Sequence, residues 1–392
     1  MLPLEGLTVV SLEQAVAAPF ASRQLAELGA RVIKIERPGV GDFARGYDET
    51  VKGQSAYFVW LNRSKESLTL DMKHPQAADI LTRLVAKADV FIQNLAPGAA
   101  KRLSLDAPTL LARHPRLIVC DISGYGDSGP YAPKKAYDLL IQSEAAVLSV
   151  TGTEDAPSKV GISITDIGTG LHAYAAILAA LYERERTGKG RRIEVTMFDA
   201  MVEWMSQPLY YTHFGGKAPK RTGPDHATIV PYGRFRAGDG KHVIFGIQNE
   251  REWAAFCDGV LKRPELAKDS RYNSNSKRTA ARAEVVGLIE GVFSDMTAEQ
   301  VVERLDGAGI ANARLNSPAE VWDHAQLKAR DRWRDVESPG GTIPAVLPPA
   351  SFDGVEARMD PIPGIGEHTE AILHELGYEP LVIETLKASG AV

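Results

Sequence analysis

The chain has 392 residues, 44% of them hydrophobic, which is enough for a packed core and for more than one domain. Its 45 Lys and Arg residues against 50 Asp and Glu residues give a net charge of -5, which argues against a general nucleic-acid binder. The two cysteines, Cys120 and Cys257, form no CxxC pair and the histidines are scattered, so neither a disulfide framework nor a metal site is predicted.

The N-terminal stretch MLPLEGLTVVSLEQ has no basic n-region and no long apolar h-region, so no secretory signal is predicted. No uninterrupted apolar run reaches the ~18 residues that a membrane span needs. We therefore expect a cytoplasmic protein of enzyme size, with neither a membrane nor a nucleic acid as its partner.

The first half of the chain alternates apolar runs with helical stretches. This alternation is typical of a parallel sheet with helices on both faces. The predicted strands cover residues 7–12, 31–36, 67–71, 90–94, 117–123 and 191–195, and the predicted helices between them cover 19–28, 75–88 and 98–113. Since such sheets bind ligands beyond the carboxyl ends of their strands, we expect functional residues directly after the strands.

Three common ligand motifs are missing from these positions. EQAVAAP follows the first strand where a GxGxxG dinucleotide loop would stand, and the chain contains neither GxxxxGK[ST] nor a GxSxG elbow. The sequence therefore disfavours a nicotinamide cofactor, a P-loop nucleotide and a hydrolase triad.

Residues 160–195 predict a long apolar helix that begins near Asp166, ends at Gly188 and is followed by a strand. An acid at a helix start is ordinarily an N-cap. Here Gly168 and Gly170 are expected to leave the first turn open to a ligand, in which case the Asp166 carboxylate is a possible nucleophile. The helix N-terminus is expected to keep that carboxylate ionised. Asp199 stands at a similar strand-to-helix junction, and a capping role is expected for it.

Cationic residues follow three successive predicted strands. Arg37, Lys73 and Arg102 each stand just past a strand or in the next segment. Any one of them is ordinarily a solvated surface residue, but together on one rim they suit the phosphates of a nucleotide-like ligand. Tyr47, in GDFARGY near that rim, is either a substrate-facing aromatic residue or a loop anchor.

The composition of the chain changes after residue 200. Residues 204–233 are rich in Gly, Pro and aromatic residues and predict a long connection, which suggests a domain boundary. A hairpin with Asp239-Gly240 at its turn is predicted over 234–247, followed by helices over 278–293 and 298–310.

Seven motifs in chain order resemble family III CoA-transferases, the family of formyl-CoA and carnitine CoA-transferases. They are LEGLTVVSLEQAVAAP, LAELGARVIKIERPGVGD, LDMKHPQA, VFIQNLAPGAAKRL, SGYGDSGPY, TDIGTG and GEHTEAILHELG. The resemblance covers essentially the whole chain. It implies a large Rossmann-like α/β domain with a parallel sheet, built from residues 1–200 and 325–392, and a small inserted α+β domain over 225–320. It also implies a linker over 201–224 and an interlocked homodimer.

The resemblance also implies the site. Asp166 matches the family's nucleophile, which attacks an acyl-CoA thioester to form a mixed anhydride and then an aspartyl-CoA thioester. No tightly bound cofactor is implied, because the coenzyme A thioester is a substrate and a small carboxylic acid accepts the CoA. Tyr47, Tyr137 and His226 are expected to face the substrates. The residues implied to contact CoA are Val16, Ala17, Arg37, Leu70, Lys73, Asn94, Leu95 and Arg102.

Several positions depart from the formate-specific members of that family. Val16 stands where those enzymes have Gln, and Tyr47 replaces a Trp. HATIVPYG, residues 226–233, stands where their glycine-rich loop would be. These departures speak against formate and oxalate, and the RTGPDH segment over 221–226 suggests a second carboxylate-binding group. A C4–C5 dicarboxylate is therefore the expected acceptor.

Two other functions are weighed against CoA transfer. The 2-methylacyl-CoA racemases share the fold and use a His directly before an Asp for proton transfer, whereas this chain has Tyr137 before Asp138. A phenol is a poor partner for α-proton exchange, which favours transfer. The other alternative is a non-enzymatic CoA-binding scaffold, which would keep CoA binding but show no turnover that depends on Asp166.

Overall fold

Six parallel strands form the main sheet of the computed structural model, which describes residues 1–392. The sheet order is β3-β2-β1-β4-β5-β6, and every neighbouring pair is parallel, as predicted. All carboxyl ends therefore meet at one edge. The strands are β1 Thr8–Leu12, β2 Arg31–Glu36, β3 Lys65–Thr69, β4 Val90–Gln93, β5 Ile118–Ser123 and β6 Arg192–Thr196.

Helices cover both faces of this sheet. Successive residues of a strand point to opposite faces, and Val9 accordingly packs with helix α1 and helix α8, whereas Val10 packs on the other face. The helices up to residue 204 are α1 Ala17–Glu27, α2 Ala56–Leu61, α3 Ala77–Ala86, α4 Ala99–Arg102, α5 Ala107–Arg113, α6 Asp138–Glu144, α7 Val147–Val150, α8 Ile164–Thr187 and α9 Met197–Trp204.

The chain divides into two compact units, the first of which comprises Met1–Val147, Val160–Gln207 and Leu327–Val392. Its C-terminal segment completes the core against strand β3. The backbone N–H of Thr69 donates to Oγ1 of Thr369 at 2.9 Å, and the N–H of Asp71 donates to the Ala391 carbonyl at 2.8 Å. Ile372 and Leu386 are buried in the same cluster as Leu70. The unit is therefore built from both ends of the chain.

The second unit comprises Leu148–Lys159 and Pro208–Gln326. It contains a three-stranded antiparallel sheet in the order β7-β8-β9, and the predicted hairpin is confirmed, with Gly240 at a φ of 81° in its turn. Its aromatic core includes Phe235, Phe245 and Trp253. The strands here are β7 Tyr232–Arg236, β8 His242–Gly246 and β9 Asn312–Arg314.

The remaining elements complete the chain. They are α10 Ser206–Gly215, α11 Glu250–Ala255, α12 Asn275–Ala280, α13 Arg282–Phe293, α14 Ala298–Gly307, α15 Pro318–Trp322, α16 Ala325–Ala329, β10 Trp333–Val336, β11 Ile343–Val346, α17 Thr369–Glu375 and α18 Pro380–Ala388. Helix α10 occupies residues 206–215 of the stretch predicted as an irregular connection, whereas α9 reaches only its first residue, Trp204. The domain boundaries inferred from sequence stay a prediction.

Helix α8 is long and apolar enough, by length and composition, to cross a membrane, with a mean hydropathy of 1.3 over its best window. Polar residues interrupt the apolar sequence of this helix, but they are few, so its mean hydropathy stays high. Ala173 and Ile177 of this helix are fully buried against the sheet in the first unit. A core helix passes the same test, so the property carries little weight on its own.

Candidate active site

Asp166 lies in the first turn of α8, as predicted, and its carboxylate is half-buried. The prediction that the helix N-terminus keeps it readily ionised is wrong. Burial, and then the nearby Asp138 carboxylate, raise the pKa of Asp166 to about 7. Loss of hydration around the charge outweighs the helix dipole, and neither a hydrogen bond nor an ion pair offsets that loss.

Asp138 itself is fixed by two hydrogen bonds. Its Oδ1 accepts from the Thr165 N–H at 2.8 Å, and its Oδ2 accepts from Nε2 of Gln142 at 2.7 Å. Asp138 therefore caps α8 one residue before Asp166. This leaves the Asp166 carboxylate free of the capping role that an acid at a helix start ordinarily has.

Gly168 and Gly170 pack against neighbouring elements rather than opening the helix to a ligand. A Cβ on Gly170 would lie 2.6 Å from the carbonyl oxygen of Ala17, and a Cβ on Gly168 would lie 3.1 Å from the Trp204 ring. The expectation of an open first turn is therefore wrong. The glycines instead let α1 and α9 approach α8 closely, which brings the start of α1 beside the start of α8.

Tyr47 and Tyr137 lie near Asp166. Burial raises the pKa of Tyr47 to about 12, and the charges of Asp42 and Asp166 add to that shift, with a smaller contribution from Tyr137. Tyr47 is 49% exposed and Tyr137 is 64% exposed, so both rings are accessible from solvent. The structure thus brings together both tyrosines that the sequence suggested for substrate contact.

The loop after β1 lies against the residue that follows Asp166. Val16 is the N-cap residue of α1 and is buried with Phe20 and Leu61, and Ala15 and Ile167 pack against that cluster. The Val16 side chain is therefore part of a small core beside the start of α8, and Ala17 is buried as well.

Asn94 holds the same loop from the carboxyl end of β4. Its Oδ1 accepts from the Gln14 N–H at 2.9 Å, and its Nδ2 donates to the Gln14 carbonyl at 2.9 Å. Both ends of the Asn94 amide are thus engaged within the protein. Leu95, the next residue, is half-buried, and its N–H donates to Oε1 of Gln93 at 2.8 Å.

The three cations lie exposed at the carboxyl edge. Arg37 follows β2, Lys73 follows β3, and Arg102 ends α4, the helix after β4. Since β3, β2, β1 and β4 are neighbours in that order, these cations line one rim of the sheet. Leu70 differs, because its side chain is fully buried in the core. The CoA contact implied for Leu70 therefore falls to its backbone.

His226 belongs to the second unit. Its ring stacks on Tyr232 with 5.2 Å between the centroids, and its Nδ1 accepts from the N–H groups of Thr228 and Ile229. Arg221, in the segment suggested for a second carboxylate, donates instead to backbone carbonyls, including those of Thr153 at 2.8 Å and Glu154 at 2.6 Å. Its role is to tie that segment to residues 148–159, and the suggestion of a free carboxylate binder there is wrong for Arg221.

Asp199 lies in the first turn of α9, but the cap of that helix is Thr196. The Thr196 Oγ1 accepts from the Asp199 N–H at 2.9 Å. Among residues 1–392, no group of three His, Cys, Asp or Glu side chains is placed to hold a metal ion.

Sequence reasoning missed a buried ionic network beneath the loop after β1. Nζ of Lys65 lies 2.7 Å from Oε1 of Glu13, and Nζ of Lys34 lies 2.8 Å from Oδ2 of Asp42. All four side chains are buried. The signal in the sequence was a lysine within the strand RVIKIE, because a lysine in a strand buried on both faces requires a buried counter-charge.

Comparisons with known proteins agree over most of the chain. Residues 4–369 match the family model described as CoA-transferase family III. The succinyl-CoA:glutarate CoA-transferase of Mus musculus is 35% identical over 399 residues, which cover 100% of this chain and 91% of that protein. The acetyl-CoA:oxalate CoA-transferase of Acetobacter aceti is 38% identical over 331 residues, covering 84% of this chain and 85% of that protein. The crystal structure of a CAIB/BAIF family protein from Brucella suis matches with a TM-score of 0.84 and 36% identity, over 96% of this chain and 99% of that one.

Proposed function

This chain belongs to CoA-transferase family III, and we propose that it moves CoA from an acyl-CoA thioester to a small dicarboxylate through covalent intermediates on Asp166. The observation that carries the covalent step is the Asp166 carboxylate itself. It is half-buried at the start of α8, has no hydrogen bond or ion pair, and has its pKa raised to about 7. A carboxylate that is not engaged in structure is available to react.

The reaction balances without ATP or an external base. The Asp166 carboxylate attacks the thioester carbonyl, forming an acyl-aspartyl anhydride and releasing the CoA thiolate. The thiolate attacks the aspartyl carbonyl, forming an aspartyl-CoA thioester and releasing the donor carboxylate. The acceptor carboxylate then attacks the aspartyl-CoA thioester, which forms an aspartyl-acceptor anhydride and releases the CoA thiolate. The thiolate attacks the acceptor's carbonyl, which forms the new CoA thioester and regenerates the Asp166 carboxylate.

Each attack creates a tetrahedral oxyanion, which needs nearby N–H donors. Because Gly170 lets the start of α1 approach α8 closely, the backbone N–H groups of both helix starts are proposed as donors to these oxyanions. We assign the oxyanion donors to residues 16–18 of the loop after β1 and to the start of α8, since the Ala15 N–H already donates to Asp42.

The exposed cations support binding of the CoA phosphates. Arg37, Lys73 and Arg102 stand on one rim at the carboxyl edge of the parallel sheet, where ligands of such sheets bind. Asn94 and Leu95 follow β4 at the same edge and border the path from that rim to the loop after β1. In this proposal Asn94 acts mainly by fixing the loop, because its amide is already engaged by Gln14.

The acceptor is proposed to be a C4–C5 dicarboxylate. Support comes from the relative named succinyl-CoA:glutarate CoA-transferase, which aligns with the whole chain. The relative from Acetobacter aceti has a similar identity to this chain and is named for oxalate, so oxalate is the acceptor against which glutarate is compared. Tyr47 and Tyr137 are accessible beside Asp166 and are proposed to contact the acyl groups, and His226 is proposed to contact the acceptor.

The deciding experiment crosses a panel of acyl-CoA donors with a panel of carboxylic acids and identifies the products by mass spectrometry. Succinyl-CoA with glutarate is expected to exceed formyl-CoA or acetyl-CoA with oxalate. With donor alone, a CoA adduct is expected on the peptide that contains Asp166. An adduct on another peptide, or rapid deuterium incorporation at the α-carbon of a 2-methylacyl-CoA, would overturn the proposal in favour of different chemistry.

We further propose a cytoplasmic, interlocked homodimer. The first unit exposes several large apolar side chains around the site, including Leu139 at 46%, Leu140 at 50% and Ile162 at 57%, which supports burial against a second copy. A monomer in analytical ultracentrifugation at all concentrations would contradict the dimer, and fractionation of cells would test the location.

A further inference from the structure

Ala15, in the loop after β1, has a backbone conformation that alanine rarely adopts. Its φ is 63°, in the left-handed region, where the Cβ of an L-residue comes too close to the following carbonyl oxygen. Such a conformation persists only where surrounding contacts hold it. Ala15 directly precedes Val16 and packs against the small cluster that Val16 belongs to. Ile167, the neighbour of Asp166, packs against the same cluster, so the strain lies close to the proposed nucleophile.

The contact that holds Ala15 comes from Asp42, in the segment after β2. Oδ1 of Asp42 accepts from the Ala15 N–H at 3.1 Å and from the Ala44 N–H at 2.9 Å. Oδ2 lies 2.8 Å from Nζ of Lys34, which is fully buried. Asp42 is 2% exposed, so its charge is sheltered from water and balanced by that lysine.

The same carboxylate also fixes the segment that carries Tyr47. Asp42 is the N-cap of the 3-10 turn Phe43–Gly46, and Tyr47 is the residue directly after that turn. Glu36 completes the arrangement, since its Oε1 accepts from the Asp42 N–H at 2.9 Å. One buried side chain thus holds two separate borders of the site, the loop with Ala15 and Val16 and the turn with Tyr47.

We propose that Asp42 is a positioning residue for CoA transfer, which sets the strained loop at Ala15 and the Tyr47 turn at the spacing that Asp166 requires. The inference rests on the proposed function, in which Asp166 is the nucleophile. Asp42 does not touch the reacting atoms, because its oxygens are engaged by Ala15, Ala44 and Lys34.

The test compares Asp42→Ala and Asp42→Asn with Glu27→Gln. Glu27 is the matched control because it is also a buried carboxylate, paired with Arg23 and Arg63 at the far end of α1. Transfer is measured at a temperature at which circular dichroism shows every variant folded, and kcat and the donor KM are determined separately.

Asp42→Ala is expected to lower kcat by about tenfold to a hundredfold, the scale of a small misplacement of catalytic groups, with donor KM near the wild-type value. Asp42→Asn is expected to lose less, because its Oδ1 still accepts from Ala15. Glu27→Gln is expected to lower the melting temperature but to keep kcat. A wild-type kcat in folded Asp42→Ala, or an equal loss in Glu27→Gln, would overturn the positioning role.

The location of the CoA adduct in the wild-type protein separates the two proposals. If the adduct maps away from Asp166, the proposed function fails, and the positioning role fails with it. If the adduct maps to Asp166 and Asp42→Ala keeps its kcat, only the positioning role fails.

Discussion

Glu13 and Asp166 are two carboxylates of the same unit, and cations surround the first but not the second. Glu13 is fully enclosed, yet Lys65, Lys34 and nearby hydroxyls overcome the cost of burial and lower its pKa to about 2. Asp166 is less enclosed, but no cation faces it, and burial together with Asp138 raises its pKa to about 7. Burial alone therefore does not set the pKa of a carboxylate, because the neighbouring charges decide whether the pKa is raised or lowered.

This difference is consistent with the separate roles that the proposed function gives to the two groups. Glu13 accepts from Ser11 at 2.7 Å and from Ser22 at 2.5 Å in addition to its lysines, so its oxygens are engaged and it is a structural anion. Asp166 has no such partners and is available for chemistry. Pairs of carboxylates whose surroundings move their pKa values apart commonly divide the work in this way.

The largest expected effect is on catalysis. Asp166→Asn keeps the shape of the side chain but removes the attacking charge, so transfer should fall by at least about 10³-fold. Because the folded state holds Asp166 at a pKa above its ordinary 3.8, the ionised group destabilises the fold increasingly as the pH rises toward 7. The variant should therefore be as stable as the wild type at pH 4, and more stable above pH 7 by about 1–3 kcal/mol.

Steady-state assays and urea unfolding at both pH values check this prediction. The control is Asp199→Asn, whose exposed side chain lies in the first turn of α9. It should keep its activity and cost up to about 1 kcal/mol of stability. Near-normal transfer by Asp166→Asn, or an adduct on Asp138, would contradict the assignment of the nucleophile.

The second effect is on stability. Glu13→Gln leaves Lys65 without its closest anion and Lys34 with Asp42 alone, so the free energy of unfolding should fall by about 3–5 kcal/mol. Urea unfolding followed by circular dichroism measures the change. Glu5→Gln, at an exposed acid, should stay within about 0.5 kcal/mol of the wild type. A Glu13→Gln protein as stable as the wild type would show that the network contributes no net stability.

The third effect is a loss of stability in acid. Since the folded-state pKa of Glu13 lies below its ordinary 4.5, the unfolded chain binds more protons between pH 4.5 and about 2. The stabilisation by Glu13 is complete above pH 4.5 and should be lost toward pH 2, by about 3 kcal/mol. Across this range, the free energy of unfolding should change less with pH for Glu13→Gln than for the wild type. The same pH dependence in both proteins would argue against the lowered pKa of Glu13.

The smallest effect is a shift in the pH profile of transfer. Because Asp166 must be ionised to attack, kcat/KM should rise with pH through about 7. Asp138→Asn removes the like charge but leaves the burial, which is the larger cause, so the midpoint should move to lower pH without returning to the ordinary value of an Asp. A profile that is flat from pH 5 to 9 would mean that a different step limits the rate.

Much of the sheet was predictable from the sequence. The predicted strands match β1 to β6 within about two residues. Most of these strands are buried on both faces and leave a continuous apolar pattern in the local sequence, whereas the edge strand β6 is partly exposed. The helix that starts near Asp166 and ends at Gly188 was predictable for the same reason, with Gly188 at a φ of 71° supplying the left-handed C-cap. The single stretch 98–113 proved to be two short helices, α4 and α5.

The roles of the small and charged residues were not predictable. In the sequence, Gly168 and Gly170 suggest a helix start that is open to a ligand. In the structure they pack against Trp204 and Ala17 of other helices. Leu70 matched a CoA-contact position but lies fully buried in the core. Each outcome depends on which distant segment packs against the residue, and a local pattern does not contain that information.

The sequence by itself determined the alternation of strands and helices, the start and end of α8, and the cations after successive strands, since each depends on residues close together in the chain. The tertiary structure alone decided the protonation of Asp166, the engagement of Arg221, and the network of Glu13 with Lys65, 52 positions away. The physical reason is that desolvation and charge–charge interactions depend on distance in space, and folding sets those distances.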